Sequence, residues 1–260
     1  MRKEPGRNEA GVNIRNFRDI SGYKNRDGKV MKKNMIFRGG ALDRITPKQA
    51  AYFENTLAIR HILDFRDKEE AEAAKDCSFH IAEYEQIGAL RVQKHDDDGF
   101  DFGTIIKSGM DAGRFRYILE YLKEGYRTMA FGNPAYQRLF GLLLENDGNI
   151  YFHCTAGKDR TGVAGFLIMM ALGMEEEDGI REYMLSNRYL KQEKEELLGR
   201  LNIPENYRQM CEPLLGVEED FIRLTIRSIQ AKYTDYEVFF EKEYGLDKEK
   251  RNRLVEIYCA

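Results

Sequence analysis

The chain has 260 residues, with 41 Lys and Arg against 44 Asp and Glu and a net charge of −3, a balance that gives no sign of a nucleic-acid partner. No run of about 18 apolar residues occurs, which excludes a membrane-spanning helix, and Met1-Arg2-Lys3-Glu4-Pro5-Gly6 leads into no apolar stretch such as a secretory leader needs. Four scattered cysteines, none at metal-ligand spacing, point to a reducing compartment, the cytoplasm, rather than to a disulfide framework; secretion would require a leader that has been removed.

Taken in chain order, residues 1–12 read as an arm. Asp27-Gly28, between Tyr23-Lys24 and Lys29-Val30, predicts a hairpin turn, and Met35-Ile36-Phe37 a strand. Thr46-Pro47-Lys48-Gln49 opens a helix with a hydroxyl cap, a proline in the first turn and Gln at the capping-box position. Ile59 to Phe65 reads as a buried strand, Asp67 caps a short acidic helix through Ala74, and another strand is expected around Phe79–Tyr84. From Gly103 to Glu145 the period is helical, broken at Gly132-Asn133-Pro134, where Asn133 caps a second helix. Asn149 to His153 is a short buried strand. Arg160 to Leu172 is apolar and small at helical spacing, with Gly173 as a stop. Further helices are expected at about 175–187, 189–200, 205–214, 217–233, 235–244 and 247–258. Strands alternating with helices predict an α/β fold.

The chemistry concentrates between that last strand and its helix, in His153-Cys154-Thr155-Ala156-Gly157-Lys158-Asp159-Arg160-Thr161-Gly162. A loop at a helix N-terminus turns successive backbone amides into one concavity, and with the helix dipole this suits a phosphate dianion. The same field favours the thiolate of Cys154 as a nucleophile. Arg160 brings a planar fork able to hold two phosphoryl oxygens. Gly157 and Gly162 permit close backbone approach, and three consecutive charges are costly to pack at a strand end without an anion. Together these parts imply hydrolysis of a phosphate monoester through a phosphocysteine. A nucleotide-binding P-loop is excluded, because Asp159 rather than Ser or Thr follows Lys158. A rhodanese-type sulfur carrier would have no need of the Arg160-Thr161-Gly162 ending.

The run resembles the signature of the cysteine-dependent phosphatases, His-Cys-x5-Arg-(Ser/Thr), and more specifically that of the bacterial tyrosine/serine phosphatases of dual or triple specificity. Asn16-Phe17-Arg18-Asp19-Ile20-Ser21-Gly22-Tyr23 is similar to that family's N-terminal box. Phe37-Arg38-Gly39-Gly40-Ala41-Leu42 is similar to its (Y/F)-R-S-(G/A)-x-L segment, with Gly39 where serine is usual. Asp64-Phe65-Arg66-Asp67-Lys68-Glu69-Glu70 resembles its D-L-R-x-x-x-E stretch, with Phe65 in place of leucine. Tyr183-Met184-Leu185-Ser186-Asn187 and Phe239 to Leu246 also fit. The similarity runs from about residue 13 to the end and is weakest at about 86–130. It implies a central, mostly parallel sheet flanked by helices, in one phosphatase domain spanning 13–260. That domain would carry a helical lid or insertion at about 86–130 and a helical part from about 175 to 260.

Cys154, Asp159 and Arg160 are the expected catalytic residues. Thr155, Ala156, Gly157, Lys158, Thr161 and Gly162 are expected to bind substrate, as are Asp64 and Arg66 on the loop after the preceding strand. His153 and Arg38 are expected to support the loop, and Thr161 to donate its hydroxyl to the sulfur. Asp159 stands in for the general acid that other tyrosine phosphatases carry in a Trp-Pro-Asp loop, since the chain has no tryptophan; Asp64 and the Asp96–Asp98 run are the other carboxylates in reach. Asp64 is also expected to orient Arg160 or a water. The aromatics of 100–131 are expected to form a wall or lid of the pocket. The expected partners are phosphorylated proteins or peptides and inositol phospholipid headgroups, the latter because Lys158 adds a cation to the loop. No cofactor is expected, and no metal: contiguous ligands such as His95-Asp96-Asp97-Asp98 converge poorly. A catalytically silent module that binds phospho-ligands is the rival reading, but it would have no use for a cysteine beside a carboxylate.

Overall fold

The computed structural model describes residues 14–90, 112–200 and 211–260. Residues 1–12, the His95–Asp98 turn, part of the 86–130 segment and most of the helix expected at 205–214 lie outside the described residues.

Alternating side chains on three short strands set the architecture. Ile36 and Phe37, Leu63 and Ile62, Phe152 and Tyr151 point to opposite faces, and each face has its own buried cluster. The strands are β1 (Arg18–Asp19), β2 (Ile36–Gly39), β3 (Ile59–Asp64), β4 (Glu83–Gln86) and β5 (Asn149–His153). They pair in the order β1-β2-β5-β3-β4, all parallel except β1, which runs antiparallel to β2. The register sets Gly39 on one side and Asp64 on the other level with His153. The carboxyl ends of β2, β5 and β3 therefore finish together. Cys154 follows at the point where the strand order reverses, which is where open α/β sheets bind ligands.

β4 begins later than the expected strand around Phe79–Tyr84. The amides of Ile81 and Ala82 are taken by Glu54 Oε1, at 2.5 and 3.0 Å, so a side-chain carboxylate holds the chain there instead of a neighbouring strand.

The helices are α1 (Pro47–Asn55), α2 (Lys68–Ala73), α3 (Ala112–Thr128), α4 (Pro134–Glu145) and α5 (Arg160–Ala171). They continue as α6 (Glu176–Tyr189), α7 (Lys191–Arg200), α8 (Glu219–Lys232), α9 (Tyr236–Tyr244) and α10 (Lys248–Tyr258). Thr46 and Gln49 cap α1 reciprocally, Asp67 and Glu70 do the same for α2, and Asn133 accepts the Ala135 amide ahead of α4. Phe53 of α1 packs on the Phe37 and Tyr151 face of the sheet. The other face carries α5, which is buried at every position from Thr161 to Ala171 because α6 and α9 close over it from outside. A helix enclosed all round must be apolar all round, which Val163-Ala164-Gly165-Phe166-Leu167-Ile168-Met169-Met170 supplies.

The turn from β5 into α5 runs against the end of β2. Gly157 has φ +67°, and a Cβ built on it would lie 2.1 Å from the Gly39 carbonyl oxygen. Neither the backbone conformation nor the space admits a side chain. Gly157→Ala is expected to destabilise the fold by about 3 kcal/mol, read as a lower midpoint in urea unfolding with an unchanged slope.

Candidate active site

The loop from Cys154 to Arg160 is held by its carbonyls. The Thr155 carbonyl accepts the Ala41 amide (3.1 Å). The Gly157 carbonyl accepts Asn16 Nδ2 (2.7 Å) and Arg38 Nη2 (2.9 Å), and Asn16 Nδ2 also reaches the Ala156 carbonyl (3.4 Å). His153 Nδ1 lies 3.2 Å from the Cys154 carbonyl. Every peptide here is trans, so each amide points opposite to the carbonyl of the same peptide unit. With the carbonyls of 155–157 drawn onto the scaffold, the amides of 156–158 face the other way, into the loop.

That scaffold is charged and buried. Arg18 reaches Glu182 Oε1 at 2.5 Å and Arg38 reaches Glu182 Oε2 at 2.6 Å. Arg18 also donates to Asn16 Oδ1 (2.5 Å), which fixes the amide that holds Gly157. Burial, and then the neighbouring Arg18, pull the Arg38 guanidinium down to about 10, and Glu182 acts in the opposite direction. Burial works against the charge of Glu182, but the two arginines hold its carboxyl below the ordinary range.

Arg160 heads α5, as expected. Both of its terminal nitrogens meet Glu70: Nη1 to Oε2 at 2.5 Å and Nη2 to Oε1 at 2.9 Å. Glu70 Oε1 also accepts the Thr155 hydroxyl (3.0 Å), and Oε2 the Asp67 amide (3.0 Å). Burial opposes the Arg160 charge, yet the hydrogen bonds it donates to Glu70 and the field of Cys154 outweigh it and raise its pKa. For Glu70 itself, burial is overcome by the Arg160 bonds, and its carboxyl is pulled down to about 2. Glu70 therefore does what was expected of Asp64: it orients the arginine. Two signals pointed to it in the sequence, the capping-box spacing from Asp67 and the terminal Glu of the Asp64–Glu70 stretch.

Asp64 and Arg66 are corrected as substrate-binding residues. Both are fully buried. The Asp64 carboxylate accepts from Arg66 Nε and Nη2 and from the Tyr84 hydroxyl (2.6 Å), while Arg66 Nη1 donates to the Ala74 carbonyl (2.7 Å). They lie beside His153, whose Nε2 is 3.0 Å from Asp76 Oδ2. Asp64, Asp76 and His153 bring one ligand atom each within 4.8 Å of one another, a spacing open to a metal ion. Arg66 Nη2, however, forms ion pairs with both carboxylates, at 2.7 and 3.0 Å, so the chain itself supplies the cation.

Two other expectations are corrected within the loop. Lys158 is only 8% exposed, and its ammonium donates to the Leu214 and Gly216 carbonyls, at 2.6 and 2.8 Å. An extra cation free for the substrate is therefore not what it provides in this structure. The Thr161 hydroxyl is buried without a hydrogen-bond partner among the described residues, so the expected bond to the sulfur is not formed. Cys154 is buried at the base of the loop. Asp159 sits just ahead of α5, with Oδ1 accepting the Tyr126 hydroxyl at 2.7 Å. Of the aromatics expected to wall the pocket, Tyr126 is buried against Asp159, whereas Tyr117 is exposed. Asn16, Arg18, Glu70, Asp76 and Glu182 were not singled out from the sequence as site residues, and Tyr126 only as one of the aromatics of a pocket wall.

A parallel-centred α/β sheet that delivers a Cys-x5-Arg loop onto a buried helix defines a phosphate-ester-handling protein. Residues 12–260 match the tyrosine phosphatase family, and the chain belongs to it. It is 26% identical over 243 residues to a protein named as a tyrosine-protein phosphatase in Cupriavidus necator, covering 90% of this chain and 83% of that one. It is 23% identical over 272 residues to the triple specificity protein phosphatase PtpB of Mycobacterium tuberculosis, covering 92% and 94%. A tyrosine-protein phosphatase of Nostoc commune matches at 30% identity over 101 residues, which is 36% of this chain and 34% of that one. The chain is a protein phosphatase.

Glu70→Gln is expected to leave Arg160 without its counter-charge and to lower turnover of aryl and alkyl phosphates alike, by at least about tenfold. A carboxylate pulled below its ordinary 4.5 stabilises the fold fully above that pH and loses its contribution as pH falls through about 2. Stability measured by urea unfolding between those pH values should therefore fall less steeply in Glu70→Gln than in the wild type.

Proposed function

We propose that the protein hydrolyses phosphotyrosine, and also phosphoserine, phosphothreonine and phosphoinositides, through a phosphocysteine on Cys154. The observation that carries this reading is the direction of the loop peptides. Asn16, Arg38 and Ala41 hold the carbonyls of 155–157, which turns the amides of the same peptide units away from that scaffold, in the stretch between Cys154 and the Arg160 that begins α5.

In the first step the thiolate attacks phosphorus in line, forming S–P as the P–O bond to the leaving group breaks. Arg160 and the amides hold the three remaining oxygens, so the contribution is positional and electrostatic. Asp159 delivers a proton to the leaving oxygen. In the second step water attacks phosphorus, Asp159 takes back a proton, and the S–P bond breaks to regenerate the thiolate and release inorganic phosphate. That the relative in Mycobacterium tuberculosis is a triple specificity protein phosphatase supports a specificity wider than phosphotyrosine. Turnover of inositol lipids would draw on Lys158 only if its ammonium leaves Leu214 and Gly216.

Cys154→Ser is expected to abolish turnover of para-nitrophenyl phosphate while retaining phosphate-ester binding, and vanadate to inhibit the wild type with or without chelator. Substantial turnover by the serine variant would remove the covalent mechanism, and a wild type that binds but turns nothing over would make the protein a phospho-ligand-binding module. Asp159→Asn should slow alkyl phosphates by a factor on the order of a hundred and activated aryl phosphates much less. A panel of phosphotyrosine, phosphoserine and phosphoinositide substrates on wild type and Lys158→Ala tests the breadth. Lipid turnover that is absent, or that falls no more than phosphotyrosine turnover, removes Lys158 as a selectivity element.

A further inference from the structure

A buried pair of phenols reaches Asp159 from the helical side. Tyr126 of α3 and Tyr183 of α6 are both fully buried. The Tyr126 ring stacks on Phe221 (centroids 5.4 Å apart) and meets Tyr183 edge-on (6.2 Å, 84°). Its backbone carbonyl takes the Thr225 hydroxyl at 2.6 Å, so the ring is fixed to α8 from two directions. Tyr183 in turn lies on the loop's last glycine, where a Cβ on Gly162 would stand 2.7 Å from the ring. Packing alone would be served by phenylalanine at both places. The hydroxyls do something more: Tyr126 Oη is 2.7 Å from Asp159 Oδ1 and 2.7 Å from Tyr183 Oη.

A phenol has one proton to give, and an ionised carboxylate only accepts. Tyr126 must then donate to Asp159 Oδ1, and Tyr183 to Tyr126, which gives the chain of bonds a single direction. Burial first, and then the charge of Asp159, push both phenols well above 10, so both remain donors. The other charges facing this group are Lys158 Nζ, 3.5 Å from Asp159 Oδ2, with Arg38 from β2 and Glu218 ahead of α8 acting on Tyr183.

We propose that Tyr126, backed by Tyr183, is a positioning residue for proton transfer. It pins Asp159 in one rotamer with Oδ1 as a permanent acceptor, and so reserves Oδ2 to carry the proton to the leaving oxygen and to take one from water. This rests on the reading of Asp159 as the general acid. Gly162 belongs to the same device, because it is the space through which Tyr183 reaches Tyr126.

The test is steady-state kinetics with an alkyl phosphate and with para-nitrophenyl phosphate, on wild type, Tyr126→Phe, Tyr183→Phe, Asp159→Asn and the double variant Tyr126→Phe/Asp159→Asn. Tyr126→Phe is expected to lower kcat for the alkyl ester about tenfold, with KM and aryl turnover little changed. Tyr183→Phe should lower alkyl turnover in the same selective way, by less. On the Asp159→Asn background the loss of Tyr126 should add almost nothing. Equal losses on both substrates, a loss confined to KM, or a full additional loss in the double variant would each show that Tyr126 only packs, and would overturn the proposal. If Asp159→Asn alone leaves the alkyl-to-aryl ratio intact, the acid assignment itself fails and the positioning role falls with it. If Asp159→Asn is selective and Tyr126→Phe is not, the positioning role alone fails.

Discussion

Two arginine side chains enter the interior, one from the N-terminal box and one from β2, and a single carboxylate on α6 receives both. Glu182 lies between Arg18 and Arg38 with almost no exposure. Buried charges of this kind are a poor source of net stability, but removing one partner strands the rest at a cost of about 3–5 kcal/mol. The geometry of the loop depends on this arrangement. Arg38 can reach the Gly157 carbonyl only because its other terminal nitrogen is held by Glu182. Asn16 can turn its amide to the same carbonyl because Arg18 occupies its oxygen. Three segments far apart in sequence are thus tied to one peptide unit of the catalytic loop.

A second layer of charge, Asp64, Asp76, Arg66 and His153, lies behind the cysteine. The first layer orients the carbonyls of the loop, and this one fixes the end of the strand from which it departs. Glu70 bridges scaffold and site, because the carboxylate that closes the first turn of α2 also faces Arg160 and Thr155. A local helix-capping interaction is therefore part of the electrostatics of phosphate recognition.

What the sequence displayed, and what it hid, follows from the range of the interactions. The strand Asn149–His153, the small apolar helix after it and the caps at Thr46, Asp67 and Asn133 are written in neighbouring residues, and the structure has them there. Asp64 and Arg66 look like exposed loop charges until the strand is folded. They then satisfy each other inside, because the last residue of β3 still lies level with His153. Lys158 reads as a ligand-facing cation, yet its four-carbon stem lets the ammonium reach two carbonyls beyond α7. Glu182 and Tyr126 carry no local mark at all. One is a carboxylate among the many of α6, the other an aromatic at an ordinary core spacing of α3. Their partners are more than thirty residues distant, and only the packing of α6 and α8 brings them together.

Gly39 departs from the serine usual at its place in the family's segment, and its surroundings account for the change. A Cβ there would stand 2.5 Å from the Tyr151 hydroxyl, which donates to the neighbouring Gly40 carbonyl at 2.5 Å. Tyr151 has thus taken the room that a side chain at 39 would fill, and its hydroxyl supplies a donor next to that position. Positions 39 and 151 are consequently coupled in this chain: a serine at 39 has room only if the phenol at 151 gives way.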